Sequence, residues 1–270
     1  MVHQTNYKSL GHRKVLVVDD IEMNQQLAKH IMQSWGFTVD VAANGREAVE
    51  KVEKNTYDLV LMDIQMPEMD GMQATESIRR LKDAAKAATP IVALTANLLN
   101  GEGDRYLQKG MNDYLPKPLD EQRLFQLVSK NLVDCPDSIF ILEPLQNETA
   151  ESIPTEKLYD LTMIHGLSGG DESFIRQMVE LFVDTMPGSV EEMQTTLEQK
   201  QWDALGKLAH KLKSTTGSMG MDSIKDEIRA VEQNCKKNEN LEATPALAKK
   251  VILVINQTVA QLKIDFSLAN

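Results

Sequence analysis

The sequence predicts α/β plus all-α: a five-stranded, doubly wound parallel sheet joined to an antiparallel helix bundle. Three observations carry this. Up to residue 132, short apolar runs alternate with amphipathic stretches. From residue 155 only helical periodicity remains. Two of the apolar runs end in acids, as when an open parallel sheet presents groups at the carboxyl ends of its strands.

The strand candidates are residues 15–18, 38–41, 59–62, 91–94 and 113–115. Between and after them lie helix candidates at 22–35, 45–54, 72–81, 98–109 and 121–132. Leu27, Ile31 and Trp35 recur at helical spacing in the first helix, Ala48 and Val52 in the second. Strict alternation implies a parallel sheet covered on both faces. Right-handed crossovers then bring every strand's carboxyl end to one rim.

Residues 1–13 read as a polar tail, 14–134 as the first domain and 135–154 as a linker holding Pro136, Pro144 and Pro154. The second domain is expected over 155–270, with helices at 156–164, 172–185, 188–199, 201–216, 222–238 and 245–266. Pro187 is expected to open the third of these, with Glu191 and Glu192 suiting the helix dipole. Leu205, Leu208 and Leu212 form one apolar stripe; Leu247, Val251, Val254, Val259 and Leu262 form another.

The chain has 270 residues, 42 % of them hydrophobic, and a net charge of −11. Neither half is basic, which argues against nucleic acid and against a polybasic membrane contact. No apolar run approaches the ~20 residues that span a bilayer, so no membrane insertion is expected. Cys135 and Cys235 have no metal or disulfide spacing, which indicates a reducing compartment. With the polar start from Met1 to Leu10, the expected location is cytoplasmic.

The rim gathers the chemistry. Asp19 and Asp20 follow the first strand, Asp63 the third, Thr95 the fourth and Lys117 the fifth. Three carboxylates at one edge repel unless a cation or a proton joins them. Phosphoryl transfer to a carboxylate suits this set: a divalent ion on Asp20 and Asp63 screens phosphoryl oxygens, Lys117 pairs with one, and Thr95 hydrogen-bonds another. All-oxygen donors favour Mg²⁺, with Mn²⁺ as the alternative, over Zn²⁺. Taken singly, Thr95 is an ordinary strand-end or capping hydroxyl and Lys117 a solvated loop lysine; the set carries the inference. A phosphatase with a second aspartate two residues after its nucleophile does not fit, because that position is Gln65.

With Met66-Pro67 and Asp70-Gly71 in the loop after Asp63, residues 14–132 resemble a response-regulator receiver domain. The resemblance implies a flavodoxin-like fold, Asp63 as phospho-acceptor, Thr95 as switch hydroxyl and Tyr114 as aromatic switch. It further implies metal ligation by Asp19, Asp20, Asp63 and the main-chain carbonyl of Gln65, with self-catalysed aspartyl phosphorylation and dephosphorylation. Ile21 departs from the polar residue common in relatives, which bears on autodephosphorylation or metal access.

In the second half, His210 lies off the Leu205–Leu208–Leu212 stripe and is expected to face solvent. Lys213, Ser214 and Gly217 share its face by helical spacing. A cation with small neighbours suits a histidine that receives a phosphoryl group from another protein's pocket. A lone surface histidine carries no such meaning: His3 and His12 sit in the polar tail, His30 on a solvent face beside Lys29, and His165 at a helix end. His210, Leu212 and Lys213, with Gly220 ten residues on, resemble a histidine-containing phosphotransfer (HPt) domain over 155–266; Ser214 stands where glycine is frequent.

Receiver plus HPt is similar to the tail of hybrid sensor histidine kinases. It implies a two-component phosphorelay intermediate: an upstream sensor histidine kinase donates to Asp63, His210 exchanges with it, and a downstream response-regulator receiver accepts. No kinase nucleotide-binding signature occurs. The alternatives are a phosphorylation-switched binding module and a phosphate sink without onward transfer, in a free-standing protein or a detached tail.

Overall fold

The computed structural model describes residues 10–95, 102–132 and 157–268. Five strands pair in the order β2-β1-β3-β4-β5, all parallel. They are β1 (Lys14–Val18), β2 (Thr38–Ala42), β3 (Leu59–Asp63), β4 (Ile91–Thr95) and β5 (Asp113–Pro116). Around them lie α1 (Glu22–Ser34), α2 (Gly45–Lys54), α3 (Gly71–Arg79), a single turn α4 (Ala84–Ala87), α5 (Glu102–Gln108) and α6 (Glu121–Leu132). The turn α4 has no counterpart in the periodicity. The expected first turn of α5, from residue 98, and the linker 135–154 lie outside the described residues.

Side chains alternate across the sheet, as a pleated strand requires. Val15, Val17, Leu59, Leu61, Val92 and Leu94 pack under α1 and α6. Leu16, Val18, Val60, Met62, Ile91 and Ala93 pack under α2, α3 and Tyr106 of α5. Both faces are apolar because helices cover both, as the all-parallel pattern demands. The register aligns Val18 with Met62, Asp63 with Leu94 and Thr95 with Pro116, so the carboxyl ends share one rim.

The rest is helical: α7 (Thr162–Ser168), α8 (Glu172–Glu198), α9 (Trp202–Ser218), α10 (Lys225–Lys237) after a 3₁₀ turn, and α11 (Thr244–Asp265). α9 packs on α8 and α10, and α11 packs on the same two, which closes a four-helix bundle. The expected helix at 156–164 is shifted to α7.

One expectation fails. Pro187 does not open a helix; it lies inside the 27-residue α8. A proline in a helix interior costs about 3 kcal/mol. The buried residues on both sides of it, Phe182, Val183, Met186, Val190 and Met193, continue one stripe into the bundle core. Each contributes roughly 1.5–3 kcal/mol on burial, so the stripe outweighs the lost bond.

The bundle and the sheet half touch. α1 packs against α7, α8 and α9. The His30 ring stacks on Phe174 with centroids 3.7 Å apart and planes 15° apart, and His30 Nε2 lies 3.4 Å from the Ser168 carbonyl. His30 therefore does not sit on a solvent face as expected; α1 turns that face to the bundle.

Candidate functional site

Two chemical centres occur. The first is the sheet rim. Asp63 ends a strand with no exposed residue, and the loop after it returns so tightly that Gly71 N–H donates to the Ile64 carbonyl at 3.0 Å. A Cβ on Gly71 would lie 2.1 Å from the Asp63 carbonyl oxygen, so only glycine fits. Asp70 then caps α3 through a reciprocal box with Gln73, a device that satisfies first-turn amides.

Oxygens of Asp19, Asp20 and Asp63 lie within 4.8 Å of one another. Lys117 Nζ sits between two of them, 2.6 Å from Asp19 Oδ2 and 2.8 Å from Asp63 Oδ2. Asp19 Oδ1 also accepts from Ile21 N at 3.0 Å and Asn24 Nδ2 at 2.9 Å, where α1 has no side-chain cap of its own. Ile21 thus holds its place at the rim by its backbone. Burial pushes the Asp63 carboxyl up, to about 6; Lys117 pulls it down and Asp19 adds to the rise. Burial works against the Lys117 ammonium, but Asp19 and Asp63 hold its pKa above the ordinary value. One lysine cannot neutralise three acids. The donor set fits a hard divalent cation, because all three groups are carboxylates in reach of one point.

Gln65 N–H donates to Asp63 Oδ1 at 3.3 Å, which sets the Gln65 backbone beside the carboxylate. Thr95 is buried at the end of β4, 3.1 Å from the Tyr106 hydroxyl. Tyr106 is itself buried and meets the half-buried Tyr114 edge-on at 6.3 Å.

The second centre is on α9. His210 does not face open solvent as expected: its side chain is 22 % exposed, and its Nδ1 lies 2.6 Å from Glu232 Oε1 on α10. A carboxylate only accepts, so Nδ1 carries a proton; in the neutral imidazole the lone pair then lies on Nε2. Lys213 Nζ donates to the other Glu232 oxygen at 2.6 Å. Burial raises the Glu232 carboxyl, but the bonds from His210 and Lys213 outweigh it and hold the group down at about 2. Glu232 escaped the sequence reading because it lies on another helix, 22 residues away; only the packing of α9 on α10 brings it to the imidazole. Gly217 is exposed. Gly220 takes φ +61°, and a Cβ there would meet the Asp160 carbonyl at 2.3 Å.

The two centres are neighbours across the contact between halves. Ser214 Oγ donates to Asn24 Oδ1 at 3.1 Å, and Lys211 Nζ lies 2.7 Å from Asp20 Oδ2. Asp19, Asn24, Lys117, Ser214 and Ser218 line a narrow crevice between them. Of the comparison histidines, His12 and His165 are exposed, His165 in the last turn of α7, and His3 lies outside the described residues. No helix among the described residues is long and apolar enough to cross a membrane.

Comparison with known proteins finds a known domain in each half. Residues 15–129 match the response regulator receiver domain and residues 177–264 the Hpt domain. The signal transduction histidine-protein kinase BarA of Escherichia coli K12 is 31 % identical over 231 residues, covering 84 % of this chain and 25 % of the relative. The aerobic respiration control sensor protein ArcB of the same strain is 33 % identical over 208 residues, covering 77 % and 26 %. This chain thus spans about a quarter of the length of these relatives. A solved receiver domain of a Pseudomonas aeruginosa sensor histidine kinase, described with magnesium in its active-site cleft, is 37 % identical; it covers 45 % of this chain and 98 % of its own, with a TM-score of 0.42.

Proposed function

The chain belongs to the two-component proteins in which a receiver domain is followed by an Hpt domain, and on that premise we propose that it relays a phosphoryl group through Asp63 and His210. The donor is the phospho-histidine of an upstream sensor histidine kinase; the final acceptor is the aspartate of a downstream response-regulator receiver. The units are residues 14–134 and 155–270. One observation carries this reading: His210 is held by Nδ1 against Glu232, which leaves Nε2 as the nucleophile.

In the first transfer the donor's N–P bond breaks as a bond forms from phosphorus to an Asp63 carboxylate oxygen. The departing imidazole keeps one protonated and one lone-pair nitrogen. Lys117, already on Asp63 Oδ2, pairs with the incoming phosphoryl oxygens. Asp19, Asp20, Asp63 and the Gln65 main-chain carbonyl would hold Mg²⁺, or Mn²⁺ with the same oxygen preference. When bound, the ion would screen the negative charge on the phosphoryl oxygens. The Thr95 hydroxyl turns from Tyr106 toward the phosphoryl group, and Tyr114 follows into the space released.

In the second transfer His210 Nε2 attacks phosphorus and the Asp63 O–P bond breaks. The imidazole becomes cationic as it attacks; Glu232 balances that charge through Nδ1–H. Lys213 neutralises the phosphoryl group that arrives. This is nucleophilic catalysis with a positioned partner for the nucleophile.

The test is phosphoryl tracing from a labelled donor kinase domain into the intact chain, Asp63→Asn and His210→Gln. Acid and base lability distinguish histidyl from aspartyl phosphate. Label should enter at Asp63 and reach His210 only when Asp63 is present. A protein whose His210 never labels is a phosphorylation-switched binding module, or a sink if its aspartyl phosphate simply hydrolyses.

A further inference from the structure

The contact between the halves holds a cation in an unexpected place. Asp20 is one of three clustered carboxylates, its side chain is only 5 % exposed, and its Oδ2 takes no directed hydrogen bond among the described residues. Lys117 serves Asp19 and Asp63 instead. The charge facing Asp20 Oδ2 is the Lys211 ammonium at 2.7 Å. Lys211 comes from the other half of the molecule, one residue after His210 on α9.

We propose that Lys211 is a tethered cation that competes with the divalent ion for Asp20, so that metal loading of the receiver loosens its docking on the bundle. The proposal rests on the reading of Asp20 as a metal ligand. The charges argue for exchange rather than coexistence. Three carboxylates and Lys117 leave a net charge of about −2 at the rim, which a divalent ion neutralises and Lys211 halves. Both cations on one carboxylate would overshoot to positive and sit within a few ångströms of each other. Lys211 can leave readily, since its side chain is 45 % exposed and can rehydrate; Asp20, at 5 %, cannot. α1 also meets the bundle through a hydroxyl bond from Ser214 to Asn24, the His30–Phe174 stack with its Ser168 contact, and an apolar cluster shared by both halves. Among the described residues Lys211–Asp20 is the one lysine–carboxylate pair that joins the two surfaces, so losing it weakens the docking. The docked form is a resting state in which the phosphorylation pocket is capped by the helix it later serves.

The experiment uses the full chain. Mg²⁺ is titrated by calorimetry into the wild type, Lys211→Gln, Lys211→Arg and Lys207→Gln, the last an exposed lysine on the same helix paired with Asp203. Small-angle scattering with and without Mg²⁺ reports separation of the halves. Lys211→Gln should bind Mg²⁺ roughly three- to tenfold more tightly, while Lys211→Arg and Lys207→Gln stay near the wild type. Mg²⁺ should expand the wild type, and Lys211→Gln should be expanded without it. Equal affinity in Lys211→Gln and the wild type, or wild-type dimensions indifferent to Mg²⁺, overturns the competition. Asp20→Asn separates the two readings: if it keeps wild-type Mg²⁺ affinity, the metal assignment itself is wrong and the competition falls with it.

Discussion

In the proposed relay the sheet rim and the α9 centre would handle the same phosphoryl group with opposite constructions. At the rim, Asp19, Asp63, Thr95 and Lys117 come from four strand ends scattered over about a hundred residues, and the group that reacts is almost fully buried. On α9, His210, Lys213 and Ser214 lie within two helical turns, and the reacting ring is part exposed. At the rim, converging strand ends bury Asp63 and set Asp19, Asp20 and Lys117 around it. A histidine needs access and one fixed nitrogen. A single helix with one partner from a neighbour supplies both.

The largest test of that contrast removes a rim carboxylate. Asp20→Ala should abolish Mg²⁺-dependent labelling of Asp63, a loss above about a hundredfold, since ion and pocket charge are the main source of rate in phosphoryl transfer. The melting temperature should hold or rise, because crowded carboxylates repel. Labelling that persists would show that the rim works without the ion.

Gly71→Ala comes next. Its new methyl overlaps the Asp63 carbonyl, and forced overpacking costs about 1–3 kcal/mol. Thermal unfolding of the receiver should shift down, with Asp63 labelling weakened in step. An unchanged transition would mean that the loop has slack the contacts do not suggest.

Glu232→Ala tests the long-range member of the α9 centre. Transfer to His210 should slow about tenfold or more, as for loss of a partner that orients a catalytic base. Glu232→Gln, which still accepts from Nδ1–H, should recover part of the rate. Equal rates in all three proteins would remove Glu232 from the centre. Acid unfolding sharpens the point. The Glu232 pKa is depressed from 4.5 to about 2, so its stabilisation is complete above about pH 4.5 and is lost as pH falls toward 2. The stability difference between the wild type and Glu232→Gln should therefore shrink across that window; a constant difference would place the carboxylate elsewhere.

The smallest effect is expected at Tyr106→Phe. Loss of the hydroxyl on Thr95 removes one neutral hydrogen bond, about 1 kcal/mol, that opposes Thr95 turning toward a phosphoryl group. Beryllofluoride with Mg²⁺, a phosphoryl mimic, should bind a few-fold more tightly. No change would show that the bond is re-formed in the switched state.

Much of this is legible in the sequence. Asp63 could be found because it follows four apolar residues and precedes a turn, and Lys117 because it follows the last strand run. Strand–helix alternation and right-handed crossovers leave one arrangement for such residues. Tyr106 was not legible: it lies on a helix, and its aim at Thr95 follows from how α5 packs on β4 and β5. Pro187 misled because local preference favours a helix start there, whereas the apolar stripe through Met186 and Val190 continues.

The sequence by itself determined which residues could do chemistry and at which strand end or helix face each would stand, because backbone periodicity and chain connectivity are local or topological. The tertiary structure alone decided the partners: Glu232 on His210, Lys117 on two acids and not three, Lys211 on Asp20, His30 on Phe174. Such pairs form between side chains remote in sequence. Their meeting depends on the angle and depth at which helices pack, which is set by the sum of many small apolar contacts and is written in no single residue.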